Sequence, residues 1–217
     1  MGNSNGRIDL HAIRALILLR LRSENSIRDD MNSITHAAAK MVPHPIWKEV
    51  QEIDWESGLR QFELWLPRPF EFDPPASPLK ALWIGLFNPG GQSSSGYVVD
   101  CYIAGTEQFV EAGLDWACNP AWFPEGRYCE STALAPLHDM CRATSADGYV
   151  DVEQPIAEAF VAFAWRRAIE SAKPATFLGQ CLKLGLGFGW DAGDKLILGN
   201  LVHDGLVLPK QLEHSFP

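Results

Sequence analysis

Basic residues are too few in this chain for a nucleic-acid-binding protein. The 217 residues include 18 Lys and Arg against 27 Asp and Glu, and the formal net charge is −9. A protein that binds nucleic acid needs a basic surface to contact the phosphates. Most of the acidity lies in residues 45–150, which carry fifteen acidic and six basic residues. We therefore expect no nucleic-acid partner, and we expect a charged protein partner to be basic.

A long apolar run is also missing. The first hydrophobic stretch, "LHAIRALILLRLR" at residues 10–22, is interrupted by arginines and is shorter than the ~20 residues of a membrane-spanning helix. The N-terminus carries no signal-peptide pattern. The five cysteines are an odd number, which is typical of free thiols in a reducing compartment. These observations predict a soluble cytoplasmic protein with no membrane partner.

The signatures of phosphate binding are absent. The stretch "LWIGLFNPGGQSSSGYVVDCYIAG" at residues 82–105 contains a loop rich in Gly and Ser, which suggests a phosphate cradle. Such a cradle needs a helix after the loop, and the P-loop pattern adds a Lys after the glycines. Here the loop is followed by the β-branched and aromatic "YVVDCYI". The pattern therefore predicts two strands joined by a long hairpin connection, the first of them central because both of its faces are apolar.

The dinucleotide fingerprint is absent as well. Gly185, Gly187 and Gly189 in "GLGFGWDAG" have G-x-G-x-G spacing instead of G-x-G-x-x-G, and no βαβ pattern surrounds them. We expect these glycines to allow close backbone packing against Trp190 or Phe188. No cofactor is predicted.

The cysteines and histidines do not form a metal-binding or nucleophile motif. There is no C-x-x-C pair and no G-x-S-x-G elbow. Zinc ligation and a cysteine–histidine pair remain open as combinations of scattered residues, but buried free thiols are the commoner use of such cysteines. We predict no metal site. The residues concerned are Cys101, Cys118, Cys129, Cys141, His138 and His203.

Helical periodicity is clearest near the N-terminus. One helix follows the N-cap Asp9, and a second starts at the S-x-x-D pattern of Ser26 and Asp29 and ends before Pro43. Together they predict a helical hairpin within residues 1–44. A third helix is expected over residues 45–57, with Gly58 as its stop.

The rest of the chain mixes strands and helices. Alternation in "FELWL", residues 62–66, predicts a strand, and "KLILG", residues 195–199, predicts another. A helix is expected within residues 128–142, with its start limited to about Pro136, and another at residues 155–172. Because helices and strands are segregated along the chain, the predicted fold is α+β, with a mainly antiparallel sheet and helices packed on one face. We predict a single domain over residues 1–217, with residues 1–44 as an N-terminal elaboration and residues 205–217 as a loose tail.

The irregular segment "DWACNPAWFPEGRYCES", residues 115–131, is the most distinctive stretch for binding. It combines two tryptophans, Phe123 and Tyr128 with Glu125 and Arg127. Trp, Tyr and Arg are the residue types that most often contribute the binding energy of a protein interface. The alternative is that these aromatic residues fold onto the core.

Four stretches carry a resemblance to known proteins: "LWIGLFNP", "CYIAGTEQF", "WFPEGRY" and "LGFGWDAGDKLILG". With them the sequence resembles a group of small, acidic bacterial cytoplasmic proteins whose function is uncharacterised. In composition it is also similar to the immunity proteins that bacteria use against toxins of neighbouring cells. The resemblance implies a bacterial origin and an inhibitor role. None of the four stretches is a catalytic signature.

The sequence thus predicts a soluble protein-binding module, an immunity-type inhibitor that occludes a basic toxin domain with an acidic face bearing aromatic residues. Charge would speed the encounter and aromatic contacts would slow dissociation. The predicted contact residues are Glu49, Glu52, Asp54, Glu56, Glu107, Glu111, Asp115, Trp122 and Arg127.

The alternative function is a hydrolase or transferase whose site is built from scattered residues, and the sequence leaves open whether the protein is an enzyme. The candidates for such a site are Asp100, His138, Asp191 and Asp194.

Overall fold

A computed structural model of the chain describes residues 7–87, 99–110, 115–144, 152–191 and 195–210. In these residues the helices are Leu10–Leu21 (α1), Ile27–Met41 (α2), Ile46–Gln51 (α3), Trp55–Trp65 (α4), Arg68–Phe72 (α5), Leu134–Thr144 (α6), Glu153–Ala172 (α7) and Ala175–Leu178 (α8). The strands are Ala81–Leu86 (β1), Val99–Thr106 (β2), Tyr128–Glu130 (β3), Lys183–Trp190 (β4), Lys195–Val202 (β5) and Gly205–Val207 (β6). A 3-10 helix at Asp115–Cys118 precedes β3.

The six strands form one mostly antiparallel sheet in the order β3-β2-β1-β4-β5-β6. β1 pairs with β2 antiparallel and with β4 parallel, and it is buried along its whole length. This confirms the predicted α+β class and the central position of β1. Because residues 88–98 lie outside the described part, the Gly- and Ser-rich loop itself is not described. The described strand that follows it, β2, is antiparallel to β1, which agrees with the predicted hairpin connection.

The helices pack on one face of the sheet around α7. Residues 155–165 of α7 are all buried, so this helix is the centre of the core, and it confirms the helix predicted at residues 155–172. α1, α2 and α4 contact α7 from outside, and α7 contacts β4 and β6 of the sheet. Such two-sided burial explains why α7 is apolar around its circumference instead of on one stripe.

The N-terminal hairpin is held to α7 by buried ion pairs. Asp30 on α2 is fully buried and accepts hydrogen bonds from Arg20 at 2.9 Å and from Arg167 on α7 at 2.7 Å. Arg14 on α1 binds Glu158 on α7. Guanidinium groups satisfy both buried carboxylates, so the pairs fix how the hairpin sits on α7.

The segment predicted as a strand at residues 62–66 is helical instead. Asp54 caps α4 by accepting a hydrogen bond from the Ser57 backbone N–H. Phe62 is buried and Leu64 is exposed, so the five-residue alternation fits the two sides of a helix as well as those of a strand. Gly58 was predicted to stop a helix, but it lies inside α4, and the helix predicted over residues 45–57 divides into α3 and the start of α4.

The helix predicted within residues 128–142 begins at Leu134, two residues before Pro136, after Ser131 accepts hydrogen bonds from the next turn, and residues 128–130 form the edge strand β3. The predicted tail is wrong in part. Residues 205–207, predicted as tail, form β6, which pairs with β5. Residues 211–217 lie outside the described part of the chain.

The second face of the sheet, opposite α7, is covered by aromatic rings lying over glycines. A Cβ at Gly185 would stand 2.4 Å from the Phe109 ring, and one at Gly187 would stand 2.8 Å from the Trp116 ring. Glycine spacing on β4 therefore serves close packing, as predicted. The partners are Phe109 and Trp116, however, and not Trp190 or Phe188.

Candidate functional site

A cluster of four aromatic rings and one arginine lies on the second face, around β2 and β3. We call it the aromatic–arginine patch, and it consists of Phe87, Tyr102, Phe123, Arg127 and Tyr128. Cross-strand pairing places Tyr102 next to Tyr128, and the other rings meet these two in tilted or edge-on contacts with centroids 5.6–6.3 Å apart. Edge-on contact is the favoured geometry of aromatic pairs, so the rings hold one another in place.

Arg127 is fixed at the centre of the patch. Its guanidinium carbon lies 4.1 Å from the centroid of the Phe123 ring and 4.6 Å from that of the Tyr128 ring. It also donates a hydrogen bond to the Pro124 carbonyl at 3.1 Å. Phe123 and Tyr128 are nevertheless 48% and 45% exposed. The patch thus presents large apolar surfaces to solvent that are already ordered.

Three exposed acidic residues lie next to patch residues, two of them along the chain and Asp191 through its contact with Tyr102. Glu130 lies two residues after Tyr128 on β3, and successive odd or even residues of a strand share a face. Glu125 lies in the turn before Arg127, and Asp191 follows β4; all three carboxylates are exposed. We call Glu125, Glu130 and Asp191 the acidic rim. An aromatic centre with an acidic rim suits a partner that is basic.

A pocket of about 290 Å³ adjoins the patch and shares Tyr102 and Phe123 with it. Trp83, Ala104, Ala117 and Pro120 complete its apolar lining. Its polar groups are Cys118, Asp191 and Lys195, and Lys195 Nζ donates to Cys118 Sγ at 2.8 Å. We call this cavity the Cys118 pocket.

Tyr102 joins the patch to the pocket. Its hydroxyl donates to Asp191 Oδ1 at 2.8 Å. Burial of the ring, together with the hydrogen bond to the carboxylate and the negative charge of Asp191, raises the pKa of Tyr102 well above its ordinary value of 10.0. The hydroxyl is therefore held as a hydrogen-bond donor.

The structure divides the nine predicted contact residues. Glu49, Glu52 and Asp54 are exposed and Glu56 is half-buried, and these four follow one another along α3 and α4. Arg28 lies 4.0 Å from Asp54 and 3.9 Å from Glu56, and so offsets part of their charge. Glu107 is exposed on a different element, just after β2.

The other four predicted contact residues are Glu111, Asp115, Trp122 and Arg127. Trp122 is wrong as a contact residue, because it is 6% exposed and its indole N–H donates to the Asp73 carbonyl at 2.7 Å inside the protein. Arg127 is accessible as part of the patch. Glu111 and the side chain of Asp115 lie outside the described residues.

The residues of the alternative, enzymatic reading do not come together where they are described. Asp191 lies at the Cys118 pocket, whereas His138 is buried on α6 and pairs with Glu153 of α7 on the helical side of the sheet. The Asp100 side chain and Asp194 are outside the described residues.

The cysteines are likewise dispersed. Cys101 and Cys129 face each other across β2 and β3 in the core on the α7 side, whereas Cys118 is exposed on the second face. In the part of the chain that the structure describes, no three His, Cys, Asp or Glu residues are grouped to hold a metal ion. Among the described helices, none has the length and apolar character needed to cross a membrane.

Comparisons with protein-family models, with curated proteins and with solved structures found no match. Sequence reasoning identified the segment that supplies Phe123, Arg127 and Tyr128, but it missed Phe87, Tyr102 and Lys195. The alternation in β2, where Tyr102 lies between two buried residues, was the available signal for Tyr102.

Proposed function

We propose that this protein is a protein-binding module, an immunity-type inhibitor that occludes a basic toxin domain through the aromatic–arginine patch. The observation that carries the proposal is the stacking of Arg127 on Phe123 and Tyr128, with both rings about half exposed. Arg and large aromatic residues are the usual anchors of protein interfaces. Anchors that are ordered before binding lose less conformational entropy when the partner arrives.

Charge supports a basic partner. The acidic rim flanks the anchors, and the formal net charge of −9 would attract a cationic domain from a distance. The acidic residues of α3 and α4 lie on other elements than the patch, so we assign them to long-range attraction and not to contact. In this mechanism the rings and Arg127 cover the active-site cleft of the partner, and the rim pairs with basic groups at its edge.

The test is capture of partners from a lysate of the host cell with the tagged protein, the Phe123→Ser/Tyr128→Ser variant and the Leu19→Ser variant. Leu19 is an exposed apolar residue on α1, which packs on α7, and it serves as a matched control. The capture is repeated at about 0.01 M and about 0.15 M salt, where the screening length falls from about 30 Å to about 8 Å.

The proposal expects one basic protein that the unmodified chain and the Leu19→Ser variant retain, and that added salt weakens. The patch variant should retain at least about tenfold less of this partner than the unmodified chain, because removing an interface anchor commonly costs about 2 kcal/mol or more. Equal retention by the patch variant would reject the patch, and a partner that is acidic or insensitive to salt would reject the electrostatic part.

A further inference from the structure

The Cys118 pocket contains a contact between Cys118 and Lys195 that partner binding does not use. Trp116 seats the 3-10 helix on the sheet, because its buried ring fills the space above Gly187. Cys118 follows two residues later with an exposed thiol. Lys195 starts β5 directly opposite Gly189, where no side chain on β4 occupies the space. The fold thus brings together two residues that are 77 positions apart in the chain.

The hydrogen-bond direction distinguishes Cys118 from another described cysteine. Cys181 Sγ donates to the Leu79 carbonyl at 3.0 Å, and it is therefore a protonated thiol in this contact. Lys195 has only protons to donate, so Cys118 Sγ is the acceptor at 2.8 Å. Cys118 thus presents an exposed sulfur beside a cation, whereas the Cys181 sulfur is directed at a backbone carbonyl.

The rest of the pocket limits what can reach this sulfur. Its volume of about 290 Å³ is slightly below the range of ligand pockets, which start at roughly 300 Å³. Its lining combines the rings of Trp83, Tyr102 and Phe123 with a cation, Lys195, and a carboxylate, Asp191. A small molecule with an ammonium and a carboxylate group, of amino-acid size, matches both charges.

We propose that Cys118 is a thiol-modification site that takes a low-molecular-weight disulfide of an amino-acid-type thiol. The Cys118 sulfur attacks one sulfur of the disulfide. A new S–S bond forms to Cys118, the original S–S bond breaks, and the other half leaves as a thiolate that takes a proton from water. Cys118 is oxidised and the small disulfide is reduced by the same two electrons. This inference does not rest on the proposed inhibitor function.

The partner thiol is exogenous because the described cysteines do not supply one beside Cys118. Cys101 and Cys129 are in the core on the α7 side of the sheet, Cys141 is on α6, and Cys181 is bound to Leu79. A mixed disulfide at Cys118 would place a zwitterionic group next to Phe123.

The test measures the rate of mixed-disulfide formation by peptide-mapping mass spectrometry. The probes are cystine, which carries both charges, and bis(2-hydroxyethyl) disulfide, which carries none. Each rate is divided by that of a synthetic peptide with the sequence of residues 115–121, which removes differences in intrinsic reactivity. Variants Lys195→Met, Lys195→Arg and Asp191→Asn are compared after circular dichroism has verified their fold, and Cys118→Ser gives the background.

We expect Cys118 in the protein to react with cystine at least about tenfold faster than the peptide. Lys195→Met should remove this advantage and Lys195→Arg should keep most of it. Asp191→Asn should slow the reaction with cystine and leave that with bis(2-hydroxyethyl) disulfide unchanged.

Peptide-like reactivity of Cys118, or an unchanged rate in Lys195→Met, would overturn the site. An equal effect of Asp191→Asn on both probes would overturn the zwitterionic ligand class. If Lys195→Met does not fold, the rates of the unmodified chain and of Lys195→Arg with cystine, each relative to the peptide, decide: peptide-like rates in both contradict the proposal.

Discussion

Arg14 and Glu158 form a bidentate ion pair buried between α1 and α7. Arg14 donates from Nε at 3.0 Å and from Nη2 at 2.9 Å to the two carboxylate oxygens. The two side chains are 8% and 0% exposed. Two opposite charges are stable in such a place only as a pair, because either one alone would lack both water and a counterion.

Replacing Arg14 with Ala should therefore lower the free energy of unfolding by about 3–5 kcal/mol, the usual cost of leaving a buried charge without its partner. Urea titration followed by circular dichroism measures the change. The double variant Arg14→Met/Glu158→Leu should regain most of the loss. Arg28→Ala, which breaks exposed pairs with Asp54 and Glu56, should change the free energy by less than about 1 kcal/mol. Equal effects of Arg14→Ala and Arg28→Ala would contradict this assignment.

Replacing Gly58 on α4 with Ala has two opposite effects on stability. Alanine is the better helix former by about 1 kcal/mol. However, a Cβ at this position would stand 2.5 Å from the Ala133 Cβ and 3.0 Å from the Phe160 ring, so α4 would have to move away. Overpacking costs about 1–3 kcal/mol. We therefore expect Gly58→Ala to lower the free energy of unfolding by about that amount, measured by thermal or urea unfolding. The double variant Gly58→Ala/Ala133→Gly should be more stable than Gly58→Ala. A Gly58→Ala variant more stable than the unmodified chain would show that α4 moves away without cost.

Tyr102 should titrate later than an ordinary tyrosine, because burial and Asp191 raise its pKa. Ultraviolet titration of the four tyrosines measures this, and the late fraction should disappear in Tyr102→Phe and move to lower pH in Asp191→Asn. The raised pKa in the folded state means that the contribution to stability is fully present below pH 10.0 and is lost as the pH rises above that value. If all four tyrosines ionised together in one step near pH 10.0, the result would contradict the Tyr102–Asp191 contact.

The acidic rim should govern the rate of association with the partner. The variant Glu125→Lys/Glu130→Lys places two cations beside the anchors, and we expect its association rate at low salt to fall by about tenfold or more. The matched variant Glu49→Lys/Glu52→Lys changes the net charge equally but on α3, and it should slow association less. Surface plasmon resonance at two salt concentrations separates the effects. If Glu49→Lys/Glu52→Lys slowed association more than Glu125→Lys/Glu130→Lys, the contact surface would be the acidic residues of α3 and α4 and not the acidic rim.

Much of the fold could be predicted from local signals. The caps at Asp9 and Ser26 and the apolar periods of α1, α2 and α7 depend on neighbouring residues, and they identified these helices. "FELWL" was too short to separate a period of two from one of 3.6, since Phe62 and Leu64 satisfy both. The parallel pairing of β1 with β4 joins strands that are about a hundred residues apart, and no local pattern encodes it.

The site could be predicted only in part, because local sequence shows which residues are neighbours in the chain but not which distant residues contact them. Phe123, Arg127 and Tyr128 are close in sequence, so composition alone indicated a binding segment. The burial of Trp122 depends on the Asp73 carbonyl, 49 residues away, which receives its indole N–H. The contact between Cys118 and Lys195 depends on how the sheet brings β5 under the 3-10 helix. Such distant contacts decide which aromatic residues of a segment remain exposed.

Site-specific cross-linking in host cells tests the central claim most directly. A photoreactive benzophenone amino acid replaces Phe123 in one variant and Leu19 in another, and both are irradiated and analysed by mass spectrometry. Because the replacement at Phe123 is itself aromatic, it preserves the apolar character of the patch. The account predicts an adduct with one basic protein from position 123 and not from position 19. The same adducts from both positions, or an acidic protein at position 123, would contradict it.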